Sequence, residues 1–182
     1  MAKVSKLLFD SSAITKLYCY ENGSNIVDYW LKEHNKNKRR EETLIFYLPN
    51  ICVVEIMKAI CDKYQEKVGL KDVSYLNMIA TFLKDLETSK YYSICNISMS
   101  YLVYTKDVIE HMYNEFKEDI LSPIDALILA KAYHMKQKDS NLYVAADDRN
   151  LQLVGVKLGL NIINPRDIKT IPQALRPPQF LK

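Results

Sequence analysis

The sequence predicts an α/β fold of three αβα layers, with helices flanking a mainly parallel, roughly five-stranded sheet. Three observations carry that prediction. Short apolar runs alternate with longer stretches whose apolar residues recur every third or fourth position. Most of the runs end at Asp, Asn or Ser, residues that suit helix starts. Only 4 Gly stand against 13 Tyr, too few for the many tight turns of an all-β chain. The 182 residues, 48% hydrophobic and 26% charged, suffice for one domain with a buried core.

In order, residues 4–9 (VSKLLF) read as a strand that stops at Asp10-Ser11-Ser12, where a helix begins. That helix runs to about residue 21, breaks at Asn22-Gly23-Ser24 and resumes to about residue 33. Residues 36–40 (KNKRR) read as a solvated loop, and 44–48 (LIFYL) as a second strand ended by Pro49-Asn50. Asn50 suits the cap of a helix closed by Gly69, and Asp72 opens another to about residue 87. Residues 91–97 form a third strand, followed by a helix from Ser98 and another from Ser122-Pro123. Residues 142–146, 150–158 and 161–163 complete the alternation as strand, helix and strand. Residues 1–165 are thus expected to form the domain, and 166–182 a basic, proline-containing tail.

Several classes are excluded. No stretch approaches the roughly 18 uncharged apolar residues of a membrane span. Leu7-Leu8-Phe9 is too short for the core of an export signal, and the four cysteines show no CxxC pair, so a reduced, cytoplasmic protein is expected. His34, His111 and His134 are scattered, and no P-loop, dinucleotide fingerprint or GxSxG elbow occurs.

Four acids carry the functional expectation. In an open parallel sheet, chemistry gathers beyond the carboxyl ends of the strands, where two runs here end in Asp10 and in Asp147-Asp148. Taken singly, each is explained as a helix cap, and Ser122-x-x-Asp125 resembles a capping box. Glu55 is different, because it lies inside a helix among Val53, Val54, Ile56 and Met57. A carboxylate buried there needs a positive partner, a lysine or arginine or a metal ion. Converged acids with no His or Cys ligand predict a hard cation, Mg²⁺ or Mn²⁺, which suits phosphodiester hydrolysis.

The stretches LLFDSS (7–12), VVEI (53–56), LSPIDALILA (121–130) and LYVAADDRNL (142–151) resemble, in order, the motifs of PIN-domain nucleases, including VapC-type toxins. The resemblance covers residues 4–165 and implies a five-stranded parallel sheet and Mg²⁺- or Mn²⁺-dependent cleavage of RNA. It implies that Asp10 and Asp125 bind the main metal, with Glu55 supporting it directly or through water. Asp147 matches the fourth acid, positioning a second metal or a water, and Asp148 is then a helix-terminal acid. Ser12 matches a hydroxyl near the metal. The family also implies an antitoxin protein and a homodimer as partners, or a role in RNA processing or decay. A catalytically inactive PIN-like module that binds RNA or protein is the alternative.

RNA backbone contacts are expected from Lys38, Arg39 and Arg40 in the densest basic cluster, and from Arg149 beside the fourth acid. Tyr18, Tyr20 and Tyr29 suit base stacking, though core packing is the more frequent role of such residues. Arg166, Lys169, Arg176 and Lys182 outnumber Asp167 by three in the tail, which accounts for the whole net charge of +3.

Overall fold

Leu7, Leu8 and Phe9 have no solvent exposure, because they end β1 (Lys3–Phe9), the middle strand of a five-stranded sheet. The structure, a computed structural model, describes residues 3–33, 42–68, 74–116 and 121–177. The remaining strands are β2 (Glu42–Pro49), β3 (Ser93–Cys95), β4 (Leu142–Ala145) and β5 (Asn161–Ile163). Their order is β3-β2-β1-β4-β5, and every pairing is parallel, as expected from the alternating pattern.

The helices are α1 (Ser11–Cys19), α2 (Ser24–Asp28), α3 (Cys52–Val68), α4 (Ser74–Glu87), α5 (Leu102–Phe116), α6 (Pro123–Lys138) and α7 (Arg149–Lys157). α1 packs on α2 and α3, and α3 on α4; α6 packs on α5, α7 and β4. The sheet lies between these two helical layers. Phe9 meets the rings of Trp30 and Phe46, while Ile128, Leu129 and Ala130 of α6 are wholly buried.

Strand order reverses at β1, whose neighbours are β2 on one side and β4 on the other. Phe9 is in register with Ala145, and the Asp10 N–H donates to the Ala145 carbonyl at 2.9 Å. The carboxyl ends of β1 and β4 therefore open side by side at the topological switch point, where ligands bind in folds of this kind.

Some elements differ from the expectation. The third strand covers only Ser93–Cys95, an edge strand with Ser93 exposed, because Tyr92 turns inward to meet Tyr18. Ser98 leads into a 3₁₀ turn, Met99–Tyr101, before α5. The Asn50 side chain accepts from the Ile97 N–H at 3.0 Å rather than capping α3, tying β2 to the end of β3. The helix resuming at Ser24 ends in a π-helical turn, Tyr29–Glu33. Gly69 and Asp72 lie outside the described residues.

Beyond β5 the chain turns back over the body through the 3₁₀ turns Ile168–Thr170 and Gln173–Leu175. Ile171 and Leu175 are buried, and Trp30 Nε1 donates to the Leu175 carbonyl at 2.7 Å. Gly23 adopts φ 91°, and a Cβ there would come within 2.8 Å of the Pro165 carbonyl. Residues 166–177 thus pack on the body.

Candidate active site

Asp10 follows directly from β1 and is 2% exposed. It caps α1, with the Ser12 N–H donating to Oδ2 at 3.0 Å and the Ser12 hydroxyl donating to the same oxygen. Ser11 Oγ is 3.5 Å from Oδ1. The capping role and a site role are therefore compatible, since the cap uses mainly one oxygen. Burial pushes the Asp10 carboxyl up to about 6, against the bonds from Ser12, and the charges of Asp125 and Glu55 add to the rise.

Glu55 stands in the first turn of α3 rather than in the helix interior as expected, because the helix opens only at Cys52. Its Oε2 is buried with no hydrogen-bond partner among the described residues. Burial raises this carboxyl too, opposed by a hydrogen bond from Ser11, and Asp125 adds to the rise. Asp125 forms the expected capping box, receiving the Ser122 hydroxyl at 2.7 Å and the Ser122 N–H at 3.2 Å. Burial again raises its carboxyl, and the Asp148 charge contributes. Asp10 and Glu55 offer ligand atoms within 4.8 Å of each other and of Cys52 Sγ. Burial and the two carboxylates push the Cys52 thiol up, which keeps it protonated in this setting.

Asp147 has a different environment. Its N–H donates to Ser12 Oγ at 2.9 Å, so a single hydroxyl separates it from Asp10. Its Oδ2, however, lies 2.9 Å from Lys16 Nζ and 2.6 Å from an Arg166 guanidinium nitrogen. Lys16 is wholly buried and also reaches Glu21 at 3.4 Å. Burial pushes the Glu21 carboxyl up, but Lys63 and Lys16 outweigh it and hold it below the ordinary value. Asp148 caps α7 through the Leu151 N–H at 2.8 Å, as expected of a helix-terminal acid.

The charges of Asp10, Glu55 and Asp125 thus act on one another, although only Asp10 and Glu55 share the close group with Cys52 among the described residues; Asp147 reaches Ser12 by its backbone N–H alone, its carboxyl facing two cations. Arg149 is exposed at the start of α7, beside Phe116 and Gln152. Lys38, Arg39 and Arg40 lie outside the described residues. Sequence reasoning missed Ser11, Lys16 and Arg166. Lys16 had a signal, being the one charge in an otherwise uncharged helix, much as Glu55 stood out by its apolar neighbours.

Asp10 and Glu55 could hold a divalent cation beside the protonated Cys52 thiol, and their oxygen donors, with the buried, unpartnered Oε2 of Glu55, suit Mg²⁺ or Mn²⁺. No described helix is long and apolar enough to cross a membrane.

No family model matches this chain, and no curated protein matches it in sequence. Its fold is similar to that of a chain of VapBC2 from Rickettsia felis, solved bound to a DNA fragment from their promoter. That likeness has a TM-score of 0.56 at 13% identity, over 87% of this chain and 98% of that one. A chain of FitAB bound to an IR36 DNA fragment gives a TM-score of 0.57 at 14% identity, over 89% of this chain and 96% of that one. The likeness establishes the PIN-like fold.

Proposed function

We propose that this PIN-like chain is a divalent-metal-dependent ribonuclease that hydrolyses RNA phosphodiester bonds at Asp10, Glu55, Asp125 and Asp147. The observation that carries the reading is the buried, unpartnered Oε2 of Glu55 beside the buried carboxyl of Asp10. Three acids raised together are costly near neutral pH unless a cation joins them. Mg²⁺ or Mn²⁺ held by Asp10, Glu55 and Asp125 supplies Lewis-acid polarisation of a phosphate oxygen and a lowered pKa for water.

The chain's own groups prepare that chemistry. The Asp147 N–H accepted by Ser12 Oγ turns the Ser12 hydrogen toward Asp10 Oδ2, leaving Oδ1 the freer oxygen of Asp10. The capping box holds Asp125 on the rigid start of α6. Asp147 orients the nucleophile side from outside these three, its charge shared with Lys16 and Arg166. Arg149, Lys38, Arg39 and Arg40 are assigned to the RNA backbone in the same reading.

The finer reading is the toxin of a toxin–antitoxin pair, acting in the cytoplasm, with an antitoxin protein or a second copy as partner. Val103 and Tyr113 on α5 and Val156 on α7 are 67%, 65% and 60% exposed, which suits a protein contact. A catalytically silent RNA- or protein-binding module is the second reading, favoured by the engagement of Asp147 with two cations. Incubation of a broad RNA panel with wild type and Asp10→Asn, with and without Mn²⁺, separates the two. Cleavage by wild type alone, only with metal, supports the nuclease; RNA binding without cleavage supports the silent module.

A further inference from the structure

One of the ligand atoms gathered beside Asp10 is sulfur. Cys52 Sγ and a carboxylate oxygen from each of Asp10 and Glu55 all lie within 4.8 Å of one another. Cys52 opens α3 and is wholly buried, and Glu55 follows it by three residues in the same turn. Side chains at that spacing share one face of a helix, so both meet Asp10 at the end of β1. Ser11 braces the group: its side chain bonds to Glu55, its backbone N–H faces the Cys52 sulfur, and its Oγ lies 3.5 Å from Asp10 Oδ1. Cys19, Cys61 and Cys95 belong to no such group among the described residues.

Two observations point this group toward a ligand. Glu55 Oε2 is buried with no hydrogen-bond partner among the described residues. Asp10 is 2% exposed and takes its close hydrogen bonds on Oδ2, which leaves Oδ1 the freer oxygen. A buried thiol ordinarily packs as a small hydrophobe. Cys52 instead stands against two carboxylates, whose charges act on it directly. A cation with affinity for both oxygen and sulfur joins all three groups, whereas Mg²⁺ takes the oxygens and leaves the sulfur out. Zn²⁺ binds thiolate and carboxylate alike. Three protein ligands with a fourth position open is the ligand count of zinc sites that keep a water or substrate.

We propose that Cys52 selects the metal: with Asp10 and Glu55 it forms a Zn²⁺ site, and Zn²⁺ there takes the two carboxylates that Mg²⁺ or Mn²⁺ would use. The proposal rests on the reading that Asp10 and Glu55 hold a divalent cation. On binding, the Cys52 S–H bond breaks, its proton passes to solvent, and the sulfur electron pair forms the bond to zinc. No electron is transferred, so the step needs neither oxidant nor reductant. Because the two kinds of ion share Asp10 and Glu55, they compete. The sulfur strengthens the hold on Zn²⁺ and adds nothing for Mn²⁺, which suits oxygen ligands.

The test uses Co²⁺ as a coloured substitute for Zn²⁺, on the full chain under argon with a phosphine reductant. Wild type is expected to show a near-ultraviolet sulfur-to-cobalt charge-transfer band that disappears when Zn²⁺ displaces the cobalt. Cys52→Ser should lose the band and bind Zn²⁺ at least about tenfold more weakly. Its Mn²⁺ affinity, read from the spin resonance of free Mn²⁺, should stay within about twofold of wild type. Cys95→Ser should keep the band, and Zn²⁺ titrated into the Mn²⁺-loaded wild type should release Mn²⁺. A folded wild type with no band at saturating Co²⁺ overturns the proposal, as does a band that survives in folded Cys52→Ser. If Cys52→Ser does not fold, Glu55→Gln decides: an unchanged band and Co²⁺ affinity put the sulfur on another cysteine and overturn the site. Zn²⁺ that binds without releasing Mn²⁺ overturns it too. Mn²⁺-dependent cleavage with no cobalt–sulfur band strikes out the Cys52 site and leaves the ribonuclease reading standing; the band without cleavage in Mn²⁺ does the reverse.

Discussion

Lys16 Nζ, wholly buried on α1, lies 2.9 Å from Asp147 Oδ2 at the end of β4. This pair joins the two elements that flank the topological switch point. An isolated ammonium at that depth is prohibitively costly, so the acids around Lys16 are what permit it. Glu21 and Arg166 extend the pair into a network reaching the C-terminal segment.

Breaking this pair from one side should therefore be severe. Lys16→Met leaves Asp147 with Arg166 alone, and urea denaturation is expected to show a loss of about 3–5 kcal/mol. The double variant Lys16→Met/Asp147→Asn removes the under-paired carboxylate and should recover part of that loss. A loss under about 1 kcal/mol for Lys16→Met would mean that the network is not structurally important.

The raised acids set a pH dependence. Asp10 holds its proton up to about 6 in the folded chain, against an ordinary value of 3.8. The folded state then binds more protons than the unfolded one between those values, so stability falls as pH rises through that window. For Asp10 alone the loss is about 3 kcal/mol, complete above the folded value. Glu55 and Asp125 are shifted in the same direction. Metal-free protein should melt higher at about pH 5 than at about pH 7.5. Mn²⁺ should raise the melting temperature more at the higher pH, and should release protons on binding mainly at about pH 5, where Asp10 still holds its proton. Calorimetry in two buffers of different ionisation enthalpy checks the proton release. Glu21 and Asp139 are held low by lysines, so their contributions are present at both of these pH values and fade as pH falls from the ordinary carboxylate values downward.

Gly23 provides a test of the tail. Its φ of 91° opposes a side chain, and so does the Pro165 backbone, which an added Cβ would meet at 2.8 Å. Gly23→Ala is expected to cost about 1–3 kcal/mol and to expose Trp30 as the strap loosens. Unchanged stability and emission would show that residues 166–177 do not depend on this contact.

The layer order and the acids were legible in the sequence because each apolar run stops at a polar residue with a second use. Asp10, Asp125 and Asp148 cap helices, so their placement at strand ends and helix starts was readable from local chemistry. Glu55 was readable from its apolar surroundings. The β3 boundary was not, since Tyr91 and Tyr92 match a strand pattern, yet Tyr92 serves a buried contact with Tyr18. Nor could local pattern reveal Arg166, whose partner Asp147 lies 19 residues earlier in the chain and meets it only through the packed tail. Lys16 pairs with an acid far along the chain, and helical periodicity alone gave no sign of that partner.

The most direct measurement is the single-turnover cleavage rate of one RNA by wild type, Asp10→Asn and Glu55→Gln across a Mn²⁺ titration. If these acids hold the metal, wild type cleaves in proportion to Mn²⁺ occupancy, and both variants are slower by about 100-fold or more. Their metal-free melting temperatures should be no lower than that of wild type, since each variant removes a buried charge. Cleavage at the wild-type rate by a folded Asp10→Asn or Glu55→Gln would contradict the metal site.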